Sequence, residues 1–248
     1  MCWWRVFLVV VFILLLVVME HKNRVIDTKK LYVLIACEES QAECQAFRNL
    51  GHYAYSCDVQ LCRINPDWHI HGDVTPYLVG KTDFVTQSGI YVQVPRWDLI
   101  ICHPPCTYLC RVSAVHMVQH GVLNQQRYGK MLEARQFFFK CLGAQANYVA
   151  VENPIPMKRA MLPRPQCYCS PHWYGVKYSK KTLWWTKNLP ALMPSIFYPN
   201  PKCFVRYSRG KYRSRIFPQM AEAIAMQWSS YVLDDMDKSE KGGLRYGY

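Results

Sequence analysis

No two cysteines of this chain stand in a C-x-x-C pair, which removes the spacing on which strong zinc-site readings rest. The nearest group is Cys167, Cys169 and His172, with Cys203 far along the chain. That C-x-C-x-x-H pattern is weak, and we expect no metal there. Acidic residues are also scarce: 17 Asp and Glu face 30 Lys and Arg, a formal charge of +13. Such an excess points to polyanionic partners, nucleic acid first and an anionic membrane second, with a merely basic surface as the bland account. No internal repeat is found, so the 248 residues read as one large domain with one substantial core. At 51% hydrophobic residues, a mainly disordered chain is excluded.

The 12 cysteines that are present are spread along the chain, several inside apolar runs such as "VLIAC" and "LIIC". Buried reduced thiols behave as small hydrophobes, and a cytosolic compartment fits them better than a disulfide scaffold.

The opening "MCWWRVFLVVVFILLLVVM", residues 1–19, is apolar but for Arg5. No small-x-small cleavage site follows, which argues against a signal peptide. Two readings stand. As a membrane anchor it is near the lower length limit, and Lys22, Arg24, Lys29 and Lys30 behind it would keep the main domain cytoplasmic. Alternatively Met19 is the true start. Either way the domain is expected in the cytoplasm, the host's if the gene is a phage's, with a membrane as partner only if the anchor is real.

"LYVLIAC" (Leu31 to Cys37) is a continuous apolar run, as for a strand buried on both faces. Ser40 and Glu43 then form an S-x-x-E pattern that predicts a capping box, with Gly51 as the helix stop. "HYAYSCD", "HIHGDV", "WDLIIC" and "NYVAVENP" read as four further strands, with a helix from Tyr128 to Ala146 before the last. This alternation predicts an α/β fold with a mainly parallel sheet. Ligands of such sheets bind beyond the strands' carboxyl ends. Here those ends carry Glu38 and Glu39, Asp58, Asp73, His103 to Cys106, and Glu152 to Pro154. Residues 155–217 are rich in Pro, Tyr, Trp, Lys and Arg, with "YSKKTLWWTKNLP" as a strand. "FPQMAEAIAMQWSSYV" returns to helix, and the tail 234–248 is expected to be frayed.

Asp58 lies twenty residues after Glu38, the spacing at which a second-strand carboxylate reaches ribose hydroxyls. In "HPPC" two prolines follow a buried strand, fix the backbone and hold the next side chain over the sheet edge. That suits a nucleophile, Cys106, with Glu152 in "VENP" at the end of the neighbouring strand. A thiolate that adds to C6 of a pyrimidine, with an acid protonating N3, makes C5 nucleophilic. Cys102 and Cys110 read as buried thiols of no chemical role.

In this order "VLIACEESQAEC", "FRNLGHYAYSCD", "WHIHGDV", "WDLIICHPPCTYL", "VENPI", "YSKKTLWW" and "RSRIFPQMAEAIAMQW" resemble the DNA cytosine-5 methyltransferases, in particular the short forms of phages and bacteria. The resemblance covers most of residues 31–229, and Pro-Pro-Cys followed by Glu-Asn is its specific part. It implies a Rossmann-like S-adenosylmethionine-dependent methyltransferase domain over residues 31–233, with residues 155–217 contacting DNA. It makes Cys106 the nucleophile, Glu152 the acid and Asn153 the residue that orients the loop. It puts Glu38, Glu39, Asp58, Asp73, His103 and Pro104 around S-adenosylmethionine. Lys180, Lys181, Arg213 and Arg215 would meet DNA or the extruded base. No obligate protein partner is evident. The family's glycine-rich turn F-x-G-x-G-G is "ACEESQ" here, and lysines stand for the arginines of its Q-x-R-x-R strand. Between Pro190 and Arg215 there is little room for the usual target recognition domain. The alternatives are an amino methyltransferase acting on adenine N6 or cytosine N4, and an inactive nucleic-acid-binding protein of the same fold.

Overall fold

Strands that are apolar on every residue require cover on both faces, and the chain supplies it from two helical layers. In the computed structural model the described residues are 29–204 and 216–243. The apolar segment 1–19, Arg213 and Arg215 lie outside them.

In chain order the first half holds β1 (Tyr32–Ala36), α1 (Ala42–Asn49), β2 (Tyr53–Asp58), β3 (His69–His71) and α2 (Thr75–Leu78). Next come the short pair β4 (Asp83–Val85) and β5 (Tyr91–Gln93), then β6 (Leu99–Cys102). A second short pair, β7 (Val118–Gln119) and β8 (Val122–Leu123), leads to α3 (Gln125–Leu142) and β9 (Tyr148–Asn153). Then follow β10 (Cys167–Cys169), β11 (Tyr178–Ser179), β12 (Thr182–Lys187), β13 (Lys202–Cys203) and α4 (Pro218–Gly243). The central sheet has seven strands in the order β10-β12-β9-β6-β1-β2-β3. β3, β2, β1, β6 and β9 run parallel, while β12 is antiparallel to both β9 and β10. It is an α/β, Rossmann-like sheet: the doubly wound order 3-2-1-4-5-6 with one reversed strand inserted next to the last. The order switches between β1 and β6, which opens a crevice at their carboxyl ends. The basic stretch 155–217 contributes β10 and β12 to this sheet.

Alternation along β12 ties the layers together. Trp184 packs edge-on against Trp228 of α4, ring centroids 5.1 Å apart, in the layer that also holds Phe47 of α1. Its neighbour Trp185 points through the other face and meets Phe138 of α3, also at 5.1 Å. Trp184, Trp185, Trp228, Phe47 and Phe138 are all fully buried. Burial at about 25 cal/mol per Å² makes each of them worth a few kcal/mol.

Gly51 ends α1 with φ +87, and its N–H donates to the Arg48 carbonyl at 2.9 Å, as a glycine stop should. The expected capping box does not form: the residue before α1 is Gln41, and Ser40 makes no cap. Of the tail expected to fray, residues 234–243 belong to α4, and residues 244–248 lie outside the described residues. Tyr148 donates its hydroxyl proton to Asp235 at 2.6 Å, and Lys29 pairs with Asp237 and Glu240. Those anchors hold an acidic helix end that the helix dipole alone would disfavour. Among the described residues no helix is long and apolar enough to cross a membrane.

Candidate active site

The turn from β1 into α1 takes left-handed backbone without glycine. Cys37 has φ +61 and Gln41 φ +55, a conformation that costs an ordinary residue about 1–2 kcal/mol. Gln41 is held in it by its own amide. Nε2 donates to the Asn65 carbonyl at 2.9 Å and Oε1 accepts from the Asn65 N–H at 2.8 Å. Glu38, buried at 5% exposure, turns its carboxylate onto the start of α1 and accepts the N–H groups of Glu43 and Cys44 at 2.7 and 3.3 Å. Glu38 therefore caps the helix in place of Ser40. Burial first, then the nearby Glu43 carboxylate, raise its pKa to about 7.

Glu43 is turned inward rather than back to Ser40. It is fully buried, and its Oε2 lies 2.6 Å from His103 Nε2, while Oε1 has no partner among the described residues. His103 follows β6, its N–H bound to the Ala36 carbonyl at 2.9 Å, so the ring sits at the β1/β6 switch. Its other nitrogen, Nδ1, is 3.9 Å from Glu152 Oε2 at the end of β9. Trp184 stands edge-on to the ring at 5.9 Å. Burial works to lower the imidazole pKa, but the two carboxylates win and hold it well above the usual range.

After His103, the buried Pro104 and exposed Pro105 lead into a single turn in which the Cys106 carbonyl accepts the N–H groups of Leu109 and Cys110, both at 3.0 Å. Cys106 is half-buried. Its thiol is pushed far up, first by a hydrogen bond to the Cys110 sulfur, then by burial and the Glu152 charge, with Lys180 opposing. Cys110 is drawn down to about 5, mainly by that same hydrogen bond, with Ser113 helping against burial. Cys110 Sγ also reaches Ser113 Oγ at 3.6 Å, whose hydroxyl donates to the Cys110 carbonyl at 2.8 Å. Asn153 is fully buried next to Glu152, and its Nδ2 donates to the Pro154 carbonyl at 2.6 Å, which holds the start of that loop.

On the other side of the crevice, Asp58 accepts the Gln60 N–H on Oδ1 at 2.8 Å. Asp73 accepts the N–H and hydroxyl of Thr75 on Oδ1, at 2.9 and 2.8 Å. Both carboxylates help to raise the Cys37 thiol, so both lie near the first turn, as does the half-buried Glu39. Lys180 lies close enough to Cys106 to lower its pKa, whereas Lys181 is turned over the exposed face of Tyr168, 4.3 Å from the ring centroid. A cleft of about 310 Å³ opens on the Tyr108 side of the Cys106 turn, lined by Tyr108, His116, Gln119, Asn124, Arg127 and Lys130. Arg127 and Lys130 sit over the Tyr108 ring and no carboxylate lines the cleft, a surface suited to a polyanion.

The residues expected at the strand ends fall into two groups. Cys106, Glu152, His103 and Lys180 come together beyond β6 and β9, while Glu39, Asp58 and Asp73 line β1 to β3. Glu38 is committed to the helix start and Lys181 faces away. Sequence reasoning missed Glu43 as a partner of His103, since a first-turn Glu reads as a cap. It also missed Cys110, although its four-residue spacing from Cys106 is the visible sign of one shared turn. No protein-family model matches the chain, and no curated protein matches it.

Proposed function

We propose that the protein is a DNA cytosine-5 methyltransferase that works through a covalent adduct on Cys106. The observation that carries this reading is the meeting of Cys106, Glu152 and His103 at the ends of two adjacent parallel strands, at a switch point of a doubly wound sheet. Nucleophilic catalysis on a pyrimidine needs a thiolate and an acid within reach of one ring. Cys106 gives its proton to water and adds to C6 of an extruded cytosine as the thiolate, which the Lys180 charge favours. Attack at C6 displaces the C5=C6 π pair toward N3, and Glu152 protonates N3, leaving an enamine that is nucleophilic at C5. Asn153 keeps the Glu152 loop in place. Lys180 and the Arg127–Lys130 cleft hold the phosphates flanking the extruded base.

S-adenosylmethionine, when bound, supplies an electrophilic methyl group to C5. The adenosine half fits the residues present: Asp58 and Asp73 each keep one carboxylate oxygen without a partner among the described residues. Those oxygens suit ribose hydroxyls and an adenine amino group, with Glu39 beside them. The methionine end fits less well, because Glu38 already occupies the N–H groups at the start of α1. That capped helix favours the second reading, a nucleic-acid-binding protein of the same fold without transfer. Calorimetry with S-adenosylmethionine separates the two. Micromolar binding that is weakened in Asp58→Ala supports the methyltransferase, and absence of binding by the wild type removes it.

A further inference from the structure

The geometry points to a proton relay, Glu43–His103–Glu152, that keeps a proton beside the reacting base and returns it to Glu152; the inference rests on the transfer reading above. An ordinary glutamic acid gives up its proton near pH 4.3, so an acid working at neutral pH needs a reservoir behind it. His103 is placed to be that reservoir. Nε2 is hydrogen-bonded to a carboxylate that has no exposed surface, and Nδ1 faces Glu152 Oε2 at 3.9 Å. Closing that gap by about 1 Å makes a hydrogen bond.

Glu43 explains why the reservoir stays filled. A fully buried carboxyl with one oxygen unpartnered favours a cation beside it. The nearest cation is His103. Trp184, itself packed against Trp228, stands edge-on to the ring at 5.9 Å. The other ionisable groups around the ring are Glu38 on the first turn, Cys102 on β6 and Cys169 on β10, with Cys106 and Lys180 beyond Glu152. Of these only Lys180 is a cation, and it faces Cys106.

The step balances. One proton passes from His103 Nδ1 to Glu152 Oε2, leaving a neutral imidazole that still donates Nε2–H to Glu43. Glu152 then protonates N3 during attack and recovers that proton on elimination. His103 is thus a positioning residue, acting through Glu152 without touching the base.

Ring-nitrogen NMR of histidine-labelled full-length protein tests this, with the His103 signal assigned by its loss in His103→Gln. The relay predicts a charged ring at pH 7 whose titration falls by about 1 unit or more in Glu152→Gln, since an opposite charge at this range raises a pKa by that amount. Glu152 is partly exposed, so this variant leaves the buried layer untouched. In turnover, His103→Gln lowers kcat at pH 8 on the order of 10²-fold with KM for DNA unchanged, and moves the alkaline limb of the profile down. A ring that is neutral at pH 7, or a titration indifferent to Glu152→Gln, or an unshifted pH profile in His103→Gln overturns the relay. If wild-type protein forms no adduct with 5-fluorocytosine DNA the transfer reading fails, and the ring titration still decides the relay.

Discussion

Cys106 and Cys110 stand one turn apart, with the Cys110 N–H donating to the Cys106 carbonyl at 3.0 Å. Each thiol shifts the other: that of Cys106 is pushed up and that of Cys110 is drawn down to about 5. On these directions Cys110 is the more readily ionised thiol of the two. Iodoacetamide at pH 7 should label Cys110 before Cys106 in the free protein, read by peptide mass mapping. Cys110→Ser removes the first cause that raises the Cys106 thiol, so it should retain adduct formation and shift its pH dependence to lower pH. Preferential labelling of Cys106, or an unchanged pH dependence in Cys110→Ser, would contradict this pairing.

Glu152→Gln should lower single-turnover methyl transfer on the order of 10²–10⁴-fold, the usual contribution of a positioned acid. Its far-UV circular dichroism and melting profile should match the wild type, because the side chain is at the rim of β9 and Asn153 still anchors the loop. Normal turnover in this variant would remove Glu152 from the chemistry.

Glu38 gives the fold a pH dependence of definite sign. Its folded pKa, about 7, lies above the ordinary value of 4.5, so the native state binds the proton more tightly. The stability it contributes is complete below about pH 4 and is lost as pH rises through 7, by at most about 3 kcal/mol. Glu38→Gln should flatten that part of the stability curve in denaturant titrations. The decline at higher pH, where His103 loses its own raised proton, should remain. An unaltered slope between pH 4 and 7 would show that Glu38 titrates normally.

Gln41 carries left-handed strain and two hydrogen bonds at once. Gln41→Ala keeps the strain and loses both bonds, so it should destabilise by roughly 1–3 kcal/mol. Gln41→Gly loses the same bonds but relieves the backbone, and should be about 1 kcal/mol less damaging. Equal losses, measured by urea unfolding, would mean that the turn has relaxed away from φ +55.

How much of this was legible in the sequence follows from what each residue interacts with. The parallel strands were readable because a strand buried on both faces must be apolar throughout, as "VLIA" and "LIIC" are. Their carboxyl ends followed at once, and with them the strand-end positions of His103, Cys106, Glu152, Asp58 and Asp73. Glu43 was misread because a local rule, the capping box, lost to a long-range bond with His103, sixty residues on. Glu38 shows the converse: a strand-end acid also serves as a local cap of α1, which its position alone does not reveal. The short pairs β4/β5 and β7/β8 bury little and leave no strong pattern. The extension of α4 past Leu233 depends on Lys29 and Tyr148, which composition cannot bring to mind as partners.

The central claim is tested most directly by incubating the protein with S-adenosylmethionine and duplex DNA containing 5-fluorocytosine, then weighing the product by denaturing mass spectrometry. The account predicts a covalent protein–DNA species whose tryptic cross-link maps to Cys106, present in wild type and absent in Cys106→Ser. Methyl transfer to ordinary DNA that persists in Cys106→Ser would contradict it.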